Sequence, residues 1–109
     1  LESPYAGDVE RNTRYARACL RDSLLRNEAP IASHLLYTQP GVLDDGDPAE
    51  RQRGIDAGLA WKEVAEATVV YVDYGITRGM QYGIDVARGA GVPVEFRYLY
   101  AEQKKVASP

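Results

Sequence analysis

"ATVVYVD", residues 67–73, decides how this chain folds. The run is almost continuously β-branched or aromatic, without the alternation of a half-exposed strand. Continuous apolarity over so short a span predicts a strand buried on both faces, as in a parallel sheet. Downstream, "YGITRG" (residues 74–79) reads as a loop and a helix is predicted over Arg78–Gly89. "GAGVPVEFRYLY" (residues 89–100) then supplies a glycine-rich stop and a last strand over about residues 92–99. Upstream, Asp47-Pro48 is an N-cap followed by proline at the first helical position. The helix it opens is expected to reach about Glu66, with Ile55, Leu59, Val64 and Ala67 toward the core.

The same reading extends to the start of the chain. A helix is predicted over residues 8–27. Asp8 serves as its N-cap, Glu10 lies in the first turn, and Val9, Tyr15, Ala16, Cys19, Leu20 and Leu24 fall near helical spacing. "APIAS" (residues 29–33) follows a turn-like "RNE" and is predicted to be a buried strand. "HLLYTQPGVLDDGD" (residues 34–47) reads as a long loop, a length usually tied to function or mobility. Leu1 and Glu2 read as the last residues of a first strand that is very short or begins outside this chain. Residues 1–100 are thus one domain, followed by a frayed tail at 101–109. The alternation of helix and strand predicts an α/β fold, a three-layer sandwich with a parallel sheet, Rossmann/flavodoxin-like.

Composition bounds the function. With 109 residues and a net charge of −3, the chain lacks the basic footprint of a duplex nucleic-acid binder. A small anion can still be held by backbone amides and one or two arginines. The single Cys19 excludes an internal disulfide and, without partners, a zinc site, which suits a reducing, cytoplasmic compartment. No apolar run approaches membrane-spanning length, and nothing points to a cofactor or a resident metal. Trp61, Tyr82 and the tyrosines of "FRYLY" (residues 96–100) could form an apolar patch, and a homodimer or higher oligomer is expected.

In open α/β sheets, ligands bind beyond the carboxyl ends of the strands. The loops at that edge are "SPYAGD" (residues 3–8), "HLLYTQPG" (residues 34–41) and "DYGITRG" (residues 73–79). They nominate Ser3, Tyr5, Gly7, Asp8, His34, Gly75, Thr77, Arg78, Gly79 and Met80 as ligand contacts. The start of the helix at Arg78 offers amides to an anion, and Arg78 offers a planar fork. Each candidate also has a plainer reading. His34 is an acid–base group or a structural hydrogen-bonding partner; Trp61 is a stacking surface, core or dimer contact; Arg78 is a clamp or a solvated side chain. "DDGD" (residues 44–47) is a cation loop or a solvated turn. Asp73, at the strand end, faces the cleft or caps the next turn.

"SPYAGD" after a strand, a helix before "AEATVVYVD", and then "GITRGMQYGIDVA" and "VPVEF" resemble the nucleoside 2-deoxyribosyltransferase-like superfamily over roughly residues 1–99. That resemblance implies a nucleoside or nucleotide ligand, and N-glycosidic bond hydrolysis or deoxyribosyl transfer as the activity. It also implies assembly through the helices beside the site. The family carries a glycine-bearing first loop, an acid near the ribose, a Ser-x-Gly step and a glutamate on the following helix. Here Thr77-Arg78-Gly79 stands at the Ser-x-Gly step, Gly83 stands at the glutamate, and Asp85 lies two residues further on. Asp56 is the carboxylate that matches the ribose-facing acid. Cleaving an N-glycosidic bond builds positive charge on the sugar, so a carboxylate must reach the anomeric carbon; Asp73 and Asp56 are the catalytic candidates. Three classes stay open: an enzyme of this kind, a nucleotide or nucleotide-signal binding module, and a structural homo-oligomeric domain.

Overall fold

The computed structural model describes residues 1–100; the tail at 101–109 lies outside the described residues. Side-chain caps set three helix starts. Asp8 Oδ1 accepts from the Arg11 amide at 3.1 Å and opens α1 (Val9–Leu25). After the single helical turn α2 (Ser33–Leu36), Asp47 Oδ1 accepts from Ala49 at 2.9 Å and Glu50 at 3.3 Å, opening α3 (Pro48–Ala60) with Pro48 at its first position. Thr77 Oγ1 accepts from Met80 at 3.2 Å and opens α4 (Arg78–Gly89).

The fold is mixed α/β, with these four helices and a small two-stranded parallel sheet among the described residues. β1 (Thr68–Tyr71) and β2 (Val94–Arg97) are joined through α4, with Thr68 opposite Val94 and Tyr71 opposite Arg97. On the other side of β1, Glu2 N donates to Val69 O at 2.8 Å and Tyr71 N donates to Glu2 O at 3.0 Å, a parallel bridge opposite Val70. The strand read in "ATVVYVD" is therefore hydrogen-bonded on both edges, and Leu1–Glu2 does run beside it.

Successive strand residues face opposite ways, and the core divides accordingly. Tyr71 packs with Tyr15 and Cys19 of α1, flanked by Leu1, Val69 and Leu99. Val70 packs with Met80 and Ile84 of α4, flanked by Val72 and Val94. Thus α1 and α4 meet β1 on opposite faces.

Several expected elements differ. Residues 29–32 form no strand, and Ser33 begins α2 instead. Pro30 has no N–H to give a ladder, and the segment is tied to its neighbour where the Leu1 nitrogen donates to Ile31 O at 2.8 Å. α3 stops at Ala60 and tightens into a 3₁₀ turn over Trp61–Glu63 rather than reaching Glu66. No residue of α3 is buried, and Val64 is 75% exposed, so the apolar positions read as core there are surface or cleft lining. Val9 and Leu24 are likewise exposed. α1 ends two residues before Asn27, and β2 is shorter than residues 92–99.

A polar network centred on buried Arg97 and Tyr71 closes the sheet against the end of α1. Arg97, 7% exposed, donates to both carboxylate oxygens of Glu28 at 2.8 and 2.6 Å, to Tyr71 Oη at 3.2 Å, and to Glu95. Tyr71 Oη in turn donates to Asp22 Oδ2 at 2.6 Å, and Ser23 Oγ donates to Glu28 at 2.7 Å. The Arg97 guanidinium, then the Ser23 hydroxyl, hold the Glu28 carboxyl down at about 2. Burial and the bond to Asp22 push the Tyr71 phenol up to about 12.

Candidate functional site

A cavity of about 930 Å³ is lined by residues from each of the three segments expected at the ligand edge. Ser3 and Tyr5 line it from the first, His34 from the second, and Thr77, Arg78, Gly79 and Met80 from the third. The cavity continues along the sheet to Ala67 and Thr68, with α3 and the 3₁₀ turn as its far wall. Gly7, Asp8 and Gly75 do not line it. Asp8 is committed to capping α1, while Gly7 and Gly75 turn their loops at φ of 95° and 82°, where a side chain would be strained.

The best-defined pair in the cavity is Ser3–His34. Ser3 is 5% exposed, and its Oγ lies 2.8 Å from His34 Nε2. Tyr5 meets the imidazole edge-on, with ring centroids 6.3 Å apart, and Thr38 Oγ1 donates to the His34 carbonyl at 2.6 Å, fixing the turn. Burial lowers the His34 pKa to about 4. The ring is therefore neutral at pH 7, able to donate one proton and accept another. A folded-state pKa below the ordinary 6.5 means the unfolded chain binds the proton first as pH falls. The His34 contribution to stability is thus full above about 6.5 and is lost as pH drops toward 4. His34 is the sole histidine, so its ring protons in a one-dimensional NMR titration report it alone. A midpoint near 4 is expected; a midpoint near 6.5 would show a solvated ring.

A second pair escaped the sequence reading. Lys62 Nζ lies 2.7 Å from Glu2 Oε2; Lys62 is 7% exposed, Glu2 is half-buried, and both line the cavity. Space for it comes from Gly83 on α4, where an added Cβ would fall 2.3 Å from that same carboxylate oxygen. The position of Glu2 directly before Ser3 at a strand end was the available signal. Lys62 gave none, since a lysine late in a helix looks solvated. Trp61 also lines the cavity, half exposed, with its indole N–H donating to Tyr37 Oη at 2.8 Å. Gly58 lets α2 approach α3, since a Cβ there would meet Ser33 Oγ at 2.4 Å.

The two catalytic candidates lie outside the cavity. Asp73 accepts from Tyr15 Oη at 2.5 Å, Leu99 N at 2.7 Å and Tyr100 N at 2.9 Å, and its own amide donates to Tyr15 Oη at 3.0 Å. Burial and the hydrogen bond to Asp73 push the Tyr15 phenol far above its ordinary range. Asp56 is exposed on α3 and accepts from Gln52 Nε2 at 2.8 Å. In "DDGD", Asp44 accepts from the Gly46 amide, Asp45 lies 3.9 Å from Arg51 and Asp47 caps α3. No group of three or more His, Cys, Asp or Glu suited to a metal occurs among the described residues. No helix among them is long and apolar enough to cross a membrane.

No curated protein and no solved structure matches the chain. A family model matches residues 1–97, spanning the helices, both strands and every cavity residue described above. The chain belongs to that family, DUF7768, described as a domain of unknown function.

Proposed function

We propose that the cavity binds a nucleoside or nucleotide, which the protein processes at its N-glycosidic bond. The observation that carries this reading is the sharing of one cavity by Ser3, Tyr5, His34 and the Thr77-Arg78-Gly79 step. The first-turn amides of a helix have no intrahelical acceptor, and α4 opens onto the cavity with Arg78 and Gly79 exposed. A phosphate belongs there, clamped by Arg78. Tyr5 and Trp61 offer ring surfaces to a base, and the neutral Ser3–His34 pair offers hydrogen bonds without opposing charge. A three-layer, Rossmann/flavodoxin-like sandwich is the architecture we infer around this site. Helices on opposite faces of β1 and a third parallel segment at Glu2 support it. A cytoplasmic homodimer or larger oligomer, joined through the exposed tyrosines Tyr98 and Tyr100 that lie outside the cavity, completes the reading. A monomer mass by light scattering at high micromolar concentration would remove that last element.

Calorimetry with a panel of nucleoside monophosphates, with chromatography of released base, tests the function. Arg78→Ala should remove one charge-assisted contact, about 1.5–3 kcal/mol, and weaken binding roughly tenfold to over a hundredfold. Affinity unchanged by Arg78→Ala would place the phosphate elsewhere. Binding without base release from any nucleotide would favour a non-catalytic binding module.

A further inference from the structure

We infer that Glu2 is the catalytic carboxylate of this cavity, held by Lys62 and given its place by the missing side chain of Gly83; the inference rests on the nucleotide reading above. Other acidic residues line the cavity, but the described contacts commit them elsewhere or leave them solvated. Glu28 is held by Arg97, Glu50 accepts from the Asp44 amide, Asp45 sits by Arg51 and Glu66 is exposed. Glu2 differs from all of these. It is half-buried, its partner Lys62 is buried, and only its Oε2 is engaged by that lysine. As the residue bridged to Val70, it stands on the face of β1 that α4 covers.

Its position along α4 fits the substrate. Gly83 lies four residues after Gly79, slightly more than one helical turn, so the two share a face about 6 Å apart along the axis. A 5′-phosphate seated at the start of α4 therefore puts the sugar beside Gly83, where the Glu2 carboxylate lies. Two side chains cannot occupy that space: a Cβ at position 83 would fall 2.3 Å from Glu2 Oε2. The carboxylate that the resemblance assigns to position 83 thus arrives from the segment bridged to β1.

The step balances with water as co-reactant. Glu2 Oε1 attacks the anomeric carbon as the carbon–nitrogen bond breaks, and that electron pair leaves with the base, which takes a proton from water. The resulting hydroxide attacks the anomeric carbon of the sugar ester, releasing the carboxylate and leaving a free sugar phosphate. Lys62 is a positioning residue. It fixes Oε2 and leaves Oε1 for the sugar.

The test pairs binding with turnover on wild type, Glu2→Gln, Glu2→Ala and the double variant Glu2→Ala/Gly83→Glu, each checked for folding by circular dichroism. Nucleoside monophosphate binding is read by calorimetry and free base by chromatography. Glu2→Gln keeps an oxygen for Lys62, so affinity should stay near that of wild type while base release falls by about 100-fold or more. The double variant should recover release lost in Glu2→Ala, because its carboxylate returns from α4 to the vacated space. A merely structural Glu2 would not give that recovery. Wild-type-like release by Glu2→Gln would overturn the assignment while leaving the binding reading intact. Binding by wild type with no release from any nucleotide would also overturn it. Absence of binding by wild type would instead strike the nucleotide reading itself.

Discussion

Asp73→Ala is expected to destabilise the fold by about 3–5 kcal/mol, from the loss of three hydrogen bonds to one carboxylate. At roughly 4–8 °C per kcal/mol for a domain of this size, the melting temperature should fall by more than about 12 °C. The physical cause is that Asp73 joins parts of the chain that are distant in sequence. It takes the Tyr15 hydroxyl from α1 and the amides of Leu99 and Tyr100 from beyond β2. Removing it strands the part-buried Leu99 amide and takes the acceptor from a phenol buried at 2% exposure, while the exposed Tyr100 amide turns to water. Thermal melts of Asp73→Ala and Tyr15→Phe decide the matter, the second losing a smaller share. A melting temperature within a few degrees of wild type for Asp73→Ala would refute this anchoring role.

Arg97→Met is the next largest, at about 2–4 kcal/mol. Methionine keeps most of the buried volume but leaves Glu28 without its two charge-assisted bonds. The figure sits below that for a fully buried pair because Glu28 itself is exposed, and water re-solvates it. Acid titration gives a second readout. With Glu28 held at about 2 against an ordinary 4.5, its contribution is complete above about 4.5 and lost as pH falls toward 2. That acid loss should shrink in Arg97→Met. Equal acid sensitivity in the two proteins would mean that Arg97 is not what lowers the Glu28 pKa.

Local signals in the sequence carried much of the fold. Asp8, Asp47 and Thr77 each cap a helix within one or two residues of the expected start, because capping depends only on neighbours in the chain. The centre of "ATVVYVD", Thr68–Tyr71, is a strand whose β-branched and aromatic residues pack on both faces of the sheet, as its continuous apolarity suggested. "APIAS" failed because a short apolar segment needs a partner edge to become a strand, and its proline withholds one of the few donors available. The extent of α3 was misread for a related reason. Its hydrophobic positions were counted as core, whereas they face a cleft or water.

The residues lining the cavity were legible in the sequence where they are local and hidden where they are not. Ser3, Tyr5 and the step at Thr77 follow from the rule that loops gather at one sheet edge; His34 reaches the same cavity from the helical turn α2, not from the strand end expected before it. Asp73 was open between facing the cleft and capping the next turn because its partners, Tyr15, Leu99 and Tyr100, lie far off in sequence. Glu2 and Lys62 are 60 positions apart, and only the packing of α4 on β1 shows that Gly83 makes room for their pairing. A glycine inside a helix signals close approach but does not name what approaches.

Cys19 gives the α1 face of the sheet a chemical clock. It is the sole cysteine, fully buried between Tyr15 and Tyr71, with burial raising its thiol to about 12. A thiolate-specific reagent therefore has nothing to react with until α1 lifts from the strand. Under native conditions the labelling rate is then the rate for a free thiol multiplied by the equilibrium constant for that opening. One unmodified residue thus reports the free energy of whichever opening exposes the face away from α4, and a value below the global unfolding free energy would mark α1 as undocking on its own.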